Sequence, residues 1–338
     1  MQETELHYPV ILDRASVICG ASNTGKTVIL KDMLYTLRPY VEQIIIISQT
    51  DKQNKTFSAA MVPSPLIHDS ITSQLLDDIY DRQEAHSATY NKIWENNTDV
   101  IPRLIARISS SAASRAKSAI EEIKNKMRTE MSELSDEEKK YKQLECSTII
   151  NRIYVGLLDE NKHQLEKLDL DSDEEFALKY YKLNPRLIIL FDDCTELIAK
   201  FKNHHVINKL FYQGRHSKIT TLMACHTDKA LLPEHKKNIF VTIFTDEQSA
   251  FCYFDKKSTA LDPQSMAKSK AAIKTAFVPN LKYQKLMYIR EERKFYKYTA
   301  KVHDNFRFGS PVLNRFCEEI KAEEGSVSRT NRFANAFQ

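Results

Sequence analysis

Cys19-Gly20-Ala21-Ser22-Asn23-Thr24-Gly25-Lys26-Thr27, written CGASNTGKT, is the stretch whose reading decides the fold. It has the form Gly-x-x-x-x-Gly-Lys-Thr, a phosphate-binding loop (Walker A). Successive backbone N–H groups of such a loop point at phosphate oxygens, and the helix that follows adds the positive end of its dipole. Lys26 then reaches the β and γ phosphates, and the Thr27 hydroxyl ligates magnesium. Gly20, Ala21, Ser22, Asn23, Thr24, Gly25, Lys26 and Thr27 are therefore the candidate nucleotide-binding residues, with ATP and Mg²⁺ as the implied cofactors. The competing explanation is a glycine turn entering a helix with a basic residue there by accident.

The surroundings suit the first reading. Ala15 to Cys19 is a short apolar run ahead of the loop, and TVILKDMLYTL after Lys26 places Val28, Ile29, Met33, Leu34 and Leu37 at helical spacing before Pro39. Gln43-Ile44-Ile45-Ile46-Ile47-Ser48 then reads as a strand buried on both faces of a parallel sheet. Strand, loop, helix, strand is a βαβ unit. Further strands are expected at Leu187–Phe191, Ile219–Cys225 and Ile239–Phe244, with one helix over about 195–213 and helical character over 247–272. LMYIREERKFYKYTA reads as a hairpin.

Between these core segments the chain changes character. Ala116, Ile120, Ile123, Met127, Met131 and Leu134 form one helical stripe, and Leu144, Ile150, Ile153, Leu157 and Leu165 a second. Ser135-Asp136-Glu137-Glu138 has the form of a capping box, and Asp169, Asp171, Asp173, Glu174 and Glu175 read as an acidic loop. The expected fold is α/β: a three-layer P-loop NTPase core with a mainly parallel sheet, a long helical insertion and a C-terminal β-hairpin extension. The core takes 1–72 and 184–280, the insertion 73–183 with an antiparallel hairpin at about 104–168, and 281–338 a basic hairpin, helix and tail. GSVSRTNRFANAFQ at the end reads as a loose tail.

Composition sets bounds. The 338 residues carry a net charge of +4, which permits a polyanionic partner without demanding one. Glycine is scarce, at six, and Gly20, Gly25 and Gly214 all fall in candidate motifs. None of the six cysteines forms a Cys-x-x-Cys pair, so cysteines supply neither a zinc site nor a redox motif; those in apolar runs read as small buried hydrophobes in a reducing compartment. MQETELHYPV has no signal-peptide pattern, and no apolar run approaches membrane-spanning length, so no membrane insertion is expected.

LIILFDD delivers Asp192 and Asp193 at a strand end. Such an acid is the second half of a P-loop site, and ligands of open α/β sheets sit at the carboxyl ends of strands. Asp192 is the candidate magnesium ligand beside Thr27, holding the ion through water. Asp193 is the candidate general base, or at least orients the attacking water. A nucleotide kinase would instead need an arginine-rich lid, which the core segments lack. Gln213-Gly214-Arg215-His216 offers either an arginine finger in Arg215 or a helix C-cap followed by a surface arginine. In Cys225-His226-Thr227-Asp228, either His226 or Thr227 senses the γ phosphate, or His226 simply packs at a strand end.

The phosphate loop, the apolar strand ending in Asp192-Asp193, and GRHSKIT about twenty residues later together resemble the poxvirus-type genome-packaging ATPases of large double-stranded DNA viruses, in the FtsK–HerA superfamily. The match covers about 14–50 and 186–245. The resemblance implies a homo-oligomeric ring with ATP between subunits, double-stranded DNA through its centre and a capsid or portal partner. Host-cell cytoplasm or the virion is the implied location. It implies that Lys26 and Thr27 bind phosphate and magnesium, that Asp192 and Asp193 are the acidic pair, and that Arg215 acts in trans. The superfamily commonly has a glutamine sensor where His226 stands here, and the helical insertion is longer than the core needs and is not assigned by the resemblance. A cellular-type translocase or helicase of the superfamily and a non-hydrolysing nucleotide-binding scaffold are the alternatives. The segment 281–308 has eight basic residues (Lys282, Lys285, Arg290, Arg293, Lys294, Lys297, Lys301, Arg307) against three acids: either a DNA-tracking face or a solvated strand face.

Overall fold

The computed structural model describes residues 1–58, 61–132, 134, 136–228, 231–255, 263–278, 283–303 and 306–326. Two compact units emerge, one of residues 1–83 with 186–338 and one of 84–185. The first unit opens with β1 (Glu3–Thr4), α1 (Tyr8–Ile11), β2 (Ala15–Cys19), α2 (Lys26–Leu37), β3 (Gln43–Ser48), α3 (Asp51–Asn54), β4 (Ile67–His68) and α4 (Ser73–Asn91), which belongs to it up to Gln83. The second unit holds the rest of α4 and then α5 (Val100–Ile108), α6 (Ser110–Met131), α7 (Asp136–Glu160), α8 (Lys162–Leu165) and α9 (Ser172–Tyr180). The first unit resumes with β5 (Leu187–Asp192), α10 (Thr195–Phe201), α11 (His205–Tyr212), β6 (Ile219–Cys225), α12 (Pro233–Asn238) and β7 (Val241–Phe244). It closes with α13 (Glu247–Phe254), α14 (Pro263–Ala276), β8 (Lys285–Ile289), β9 (Lys294–Tyr298) and α15 (Pro311–Ser326).

The nine strands among the described residues form one sheet, in the order β1-β9-β8-β7-β2-β6-β5-β3-β4. The central strands β7, β2, β6, β5 and β3 run parallel, and β8–β9 is the expected C-terminal hairpin, extending the sheet beyond β7 by antiparallel pairing. Every residue of β2, β5, β6 and β7 is buried. That is why these strands read as unbroken apolar runs rather than alternating ones. Side chains alternate between the faces. Val17, Ile189, Phe191 and Met223 point into one core with α10, α11, α13 and α14. On the other face α2 packs against β2 and β6. Its Ile29, Leu30, Met33, Leu34 and Leu37 are fully buried, each worth about 1.5–3 kcal/mol before entropy is charged against it. The architecture is the three-layer, mainly parallel α/β sheet of a P-loop NTPase core.

A buried Asp32 fastens α2 to the chain after β9. Its carboxylate accepts from Tyr298 Oη at 2.6 Å, the Lys301 N–H at 3.0 Å and His303 Nε2 at 2.7 Å. Three donors on one carboxylate satisfy a group that would be costly to bury alone.

The second unit has its own core of Val100, Ile101, Leu104, Ile105, Ala112, Ala116, Leu157 and Leu158. Helices α6 and α7 are antiparallel, since Glu130 pairs with Lys142 at 3.0 Å near one end and Arg115 with Glu160 at 3.6 Å near the other. The Ser135–Glu138 capping box lies outside the described residues, as Ser135 and the side chains of 136–138 do, and so does the tail from residue 327 onward. The expected acidic loop is corrected: Asp171 caps α9 in a capping box with Glu174, and Asp173, Glu174 and Glu175 fill that helix's first turn. Acids there oppose the positive end of the dipole.

Two further expectations change. The single helix over 195–213 is two, α10 and α11, broken at 202–204. The helical stretch over 247–272 is likewise two, α13 and α14, and residues 256–262 between them lie outside the described residues. In the first case the apolar stripe changes face at the break: Ile198 and Phe201 lie on one side of a continuous helical wheel, and Val206, Ile207, Leu210 and Phe211 on the other, so the two segments cannot share one straight helix.

Candidate functional site

The register aligns the carboxyl ends of three neighbouring strands. Cys19 pairs with Cys225, and Asp192 with Ala224. The loop leaving β2, the acids leaving β5 and His226 leaving β6 are thereby brought to one edge of the sheet. This is where α/β folds hold ligands.

Two glycines shape the loop. Gly25 has φ +92, a left-handed conformation open to glycine, and hands the chain directly to α2. Gly20 is pressed against the end of β7, where an added Cβ would lie 1.6 Å from Thr245 Oγ1. Ala21, Ser22 and Asn23 are exposed on the loop. Thr24 Oγ1 bonds the Ala21 carbonyl at 2.7 Å and meets Thr245 Oγ1 at 2.5 Å.

Lys26 folds back across its own loop. Its ammonium donates to the Gly20 carbonyl at 2.9 Å and the Ala21 carbonyl at 2.7 Å, and lies 3.3 Å from His226 Nδ1. Burial lowers its pKa, opposed first by the negative charge of Asp193. His226 Nε2 lies 2.6 Å from Asp193 Oδ1. An ammonium can only donate and a carboxylate only accept, so Nδ1 accepts and Nε2 carries the proton. The result is a directed chain: Lys26 to His226 to Asp193. Asp193 has φ +54, a left-handed backbone that aspartate tolerates better than most residues. It begins the turn after β5 and leaves its carboxylate facing His226.

Asp192 is different. It is only 7% exposed. Burial, and next the charge of Asp193, raise its pKa from 3.8 to about 6, against the pull of Lys26. Among the described residues no hydrogen bond to its carboxylate is formed, and the Thr27 hydroxyl is also unengaged. A desolvated carboxylate without donors, and a hydroxyl on the first turn of the loop helix, are oxygen donors of the kind a hard divalent cation such as Mg²⁺ takes.

Three residues from distant parts of the chain complete the loop's support. Asp246 Oδ2 accepts the Ala21 N–H at 2.8 Å, while the same side chain caps α13 through the Ser249 N–H. Lys285, buried in β8, donates to the Thr24 carbonyl at 2.9 Å. Thr195 Oγ1 accepts the His226 N–H at 3.4 Å. Asp246 follows an apolar strand, the same signature that singled out Asp192, and was legible in principle. Lys285 was not: a lysine in a strand gives no sign of which loop it meets. Of the basic residues in the run 281–308, Lys285 therefore turns to the interior. Lys301 and Arg307 of that run pair with Glu5 and Glu318, and Lys282 lies outside the described residues. A cavity of about 250 Å³ adjoins the loop, lined by Cys19, Ala21, His226, Thr227, Asp228, Asp246, Gln248, Ser249 and Cys252.

Arg215 is not brought to this site. It is exposed in the turn before β6, whose carboxyl end carries His226. At about 3.3 Å per residue, β6 separates the two by roughly 20 Å, beyond the reach of an arginine side chain.

No family model matches the chain. It is similar along nearly its whole length to "Uncharacterized protein B354L" of African swine fever virus, isolate Pig/Kenya/KEN-50/1950. The two are 27% identical over 343 residues, 97% of this chain and 93% of the relative. Among solved structures, the pCW3 conjugation coupling protein TcpA with ATPγS matches with a TM-score of 0.45 and 12% identity, over 92% of this chain and 66% of that one. The genome packaging NTPase B204 of Sulfolobus turreted icosahedral virus 2, in complex with ATP-gammaS, matches with a TM-score of 0.42 and 10% identity, over 86% of this chain and 98% of that one. No helix among the described residues is long and apolar enough to cross a membrane.

Proposed function

We propose that this chain hydrolyses ATP to move double-stranded DNA, as the genome-packaging motor of a DNA virus. The observation that carries the reading is the directed chain from Lys26 through His226 to Asp193, set beside the buried Asp192 at the carboxyl ends of β2, β5 and β6. A viral relative of nearly equal coverage supports the setting.

In this reading the phosphates of ATP displace the self-contacts of the loop. Lys26 leaves the Gly20 and Ala21 carbonyls for the β and γ phosphates, and the loop N–H groups follow. Losing the ammonium also changes His226, which passes the event to Asp193 through its Nε2–H. Asp193 then orients the attacking water and takes its proton. His226 thus occupies the part of a γ-phosphate sensor. Thr27 and Asp192 would hold Mg²⁺, which supplies neutralisation of charge on the phosphates when bound. The cavity beside Asp246 and Ser249 receives the nucleoside. Arg215, too far for its own loop, serves the site of a neighbouring subunit in a homo-oligomeric ring, with a capsid or portal protein as the docking partner.

The test is steady-state ATP hydrolysis by the purified chain, with and without linear double-stranded DNA, beside Asp193→Asn. Turnover stimulated by DNA and lost in the variant is expected. Binding of ATP without phosphate release under any condition would favour a non-hydrolysing scaffold. Mixing Arg215→Ala with Lys26→Ala subunits tests the trans role: interfaces joining an intact loop to an intact arginine should regain activity.

A further inference from the structure

The break between α10 and α11 has a chemical consequence. It turns two consecutive histidines, His204 and His205, toward Asp77 near the start of α4, all within the first unit. His205 Nε2 lies 3.4 Å and His204 Nε2 3.8 Å from Asp77 Oδ1, and one ligand atom from each residue lies within 4.8 Å of the others. The Oδ1 atom is closed off from solvent, although the Asp77 side chain as a whole is 37% exposed, and among the described residues that oxygen has no hydrogen-bond partner. Such an oxygen is poorly satisfied as it stands, and a cation would complete it.

We propose that Asp77, His204 and His205 form a binding site for a divalent transition-metal cation of the zinc class. The spacing fits. Ligands about 2.0–2.2 Å from a tetrahedral zinc stand about 3.3–3.6 Å apart; His205 already lies in that range of the orphaned oxygen, and His204, at 3.8 Å, needs only a small shift to enter it. The donor set fits too: imidazole selects zinc, cobalt or nickel, whereas the all-oxygen pair Thr27 and Asp192 suits magnesium. The two sites share no residue. The His205 side chain is 62% exposed and that of His204 15%, so the site opens to solvent on one side, where water would take the fourth position. His204 Nδ1 now accepts the Val206 N–H at 3.3 Å. Binding through Nε2 moves the ring proton to Nδ1 and gives up that long cap. The metal ties α4 to the α10–α11 break, fixing the crossover that leads from β5 to β6.

The experiment uses the full chain, stripped with a chelator and free of nucleotide. Zn²⁺ is titrated by calorimetry and Co²⁺ by its visible absorption. One equivalent should bind, with tetrahedral Co²⁺ bands. Asp77→Asn and His205→Ala should each weaken binding at least tenfold and remove the Zn²⁺-induced rise in melting temperature. Asp192→Asn should leave Zn²⁺ binding unchanged. His205→Gln, at a mostly exposed position, serves if the alanine variant misfolds by circular dichroism. Absence of binding up to about 1 mM Zn²⁺, or equal affinity in wild type and the Asp77 and His205 variants, overturns the proposal.

Discussion

Replacing Asp192 by asparagine should make the nucleotide-free protein more stable while removing a residue the proposed chemistry needs. Burial and the neighbouring Asp193 raise the Asp192 carboxyl from 3.8 to about 6. At about 1.4 kcal/mol per pH unit, holding it ionised in the folded state costs roughly 3 kcal/mol. The sign follows from linkage. Above pH 6 the group is charged in both states and the folded state bears the full cost. Below the unfolded value near 3.8 both states carry the proton and the cost vanishes. Asparagine keeps the shape without the charge, so its advantage should be greatest at pH 7.5 and shrink as pH falls through 6 toward 4. With an unfolding entropy of roughly 2.1 cal/mol/K per residue, 3 kcal/mol corresponds to about 4 °C. Thermal melts of both proteins across pH 4–8, without Mg²⁺ or nucleotide, check this. An Asp192→Asn protein no more stable at pH 7.5, or a difference that does not vary with pH, would refute the argument that Asp192 is held in a desolvated, like-charged setting.

Three other outcomes are expected. His226→Ala removes the charge-assisted contact to Asp193 (2.6 Å) and should lower kcat about 10- to 100-fold with KM little changed. His226→Gln, with both a donor and an acceptor, should retain more, and steady-state ATPase kinetics distinguish them. Gly20→Ala drives a methyl group against Thr245 Oγ1 and should weaken nucleotide binding at least tenfold in a fluorescent-analogue titration; Thr245→Ala in the same chain should restore part of it. Asp32→Ala leaves the Tyr298 hydroxyl, the Lys301 N–H and His303 without their acceptor and should cost about 2–4 kcal/mol in urea unfolding.

The sequence by itself determined the local part of this protein. The loop from Gly20 to Thr27, the strands ending at Cys19, Asp192 and Cys225, and the helix from Lys26 were all legible, because glycine spacing and apolar runs act over a few residues. The hairpin of α6 and α7 was legible for the same reason. Strand order was not, because a parallel sheet pairs segments far apart: β2 lies between β6 and β7, about two hundred residues downstream. That order alone puts Asp246 on the Ala21 N–H, Lys285 under Thr24 and His226 between Lys26 and Asp193. It also puts Arg215 at the end of β6 away from its own loop. The break that brings His204 and His205 to Asp77 was legible only in part: the apolar stripe changes face between Ile198 and Val206, but nothing local says which helix the two histidines then meet. Residue types and short spacings declare which groups are available for chemistry. Which of them meet is set by the order in which the sheet stacks its strands.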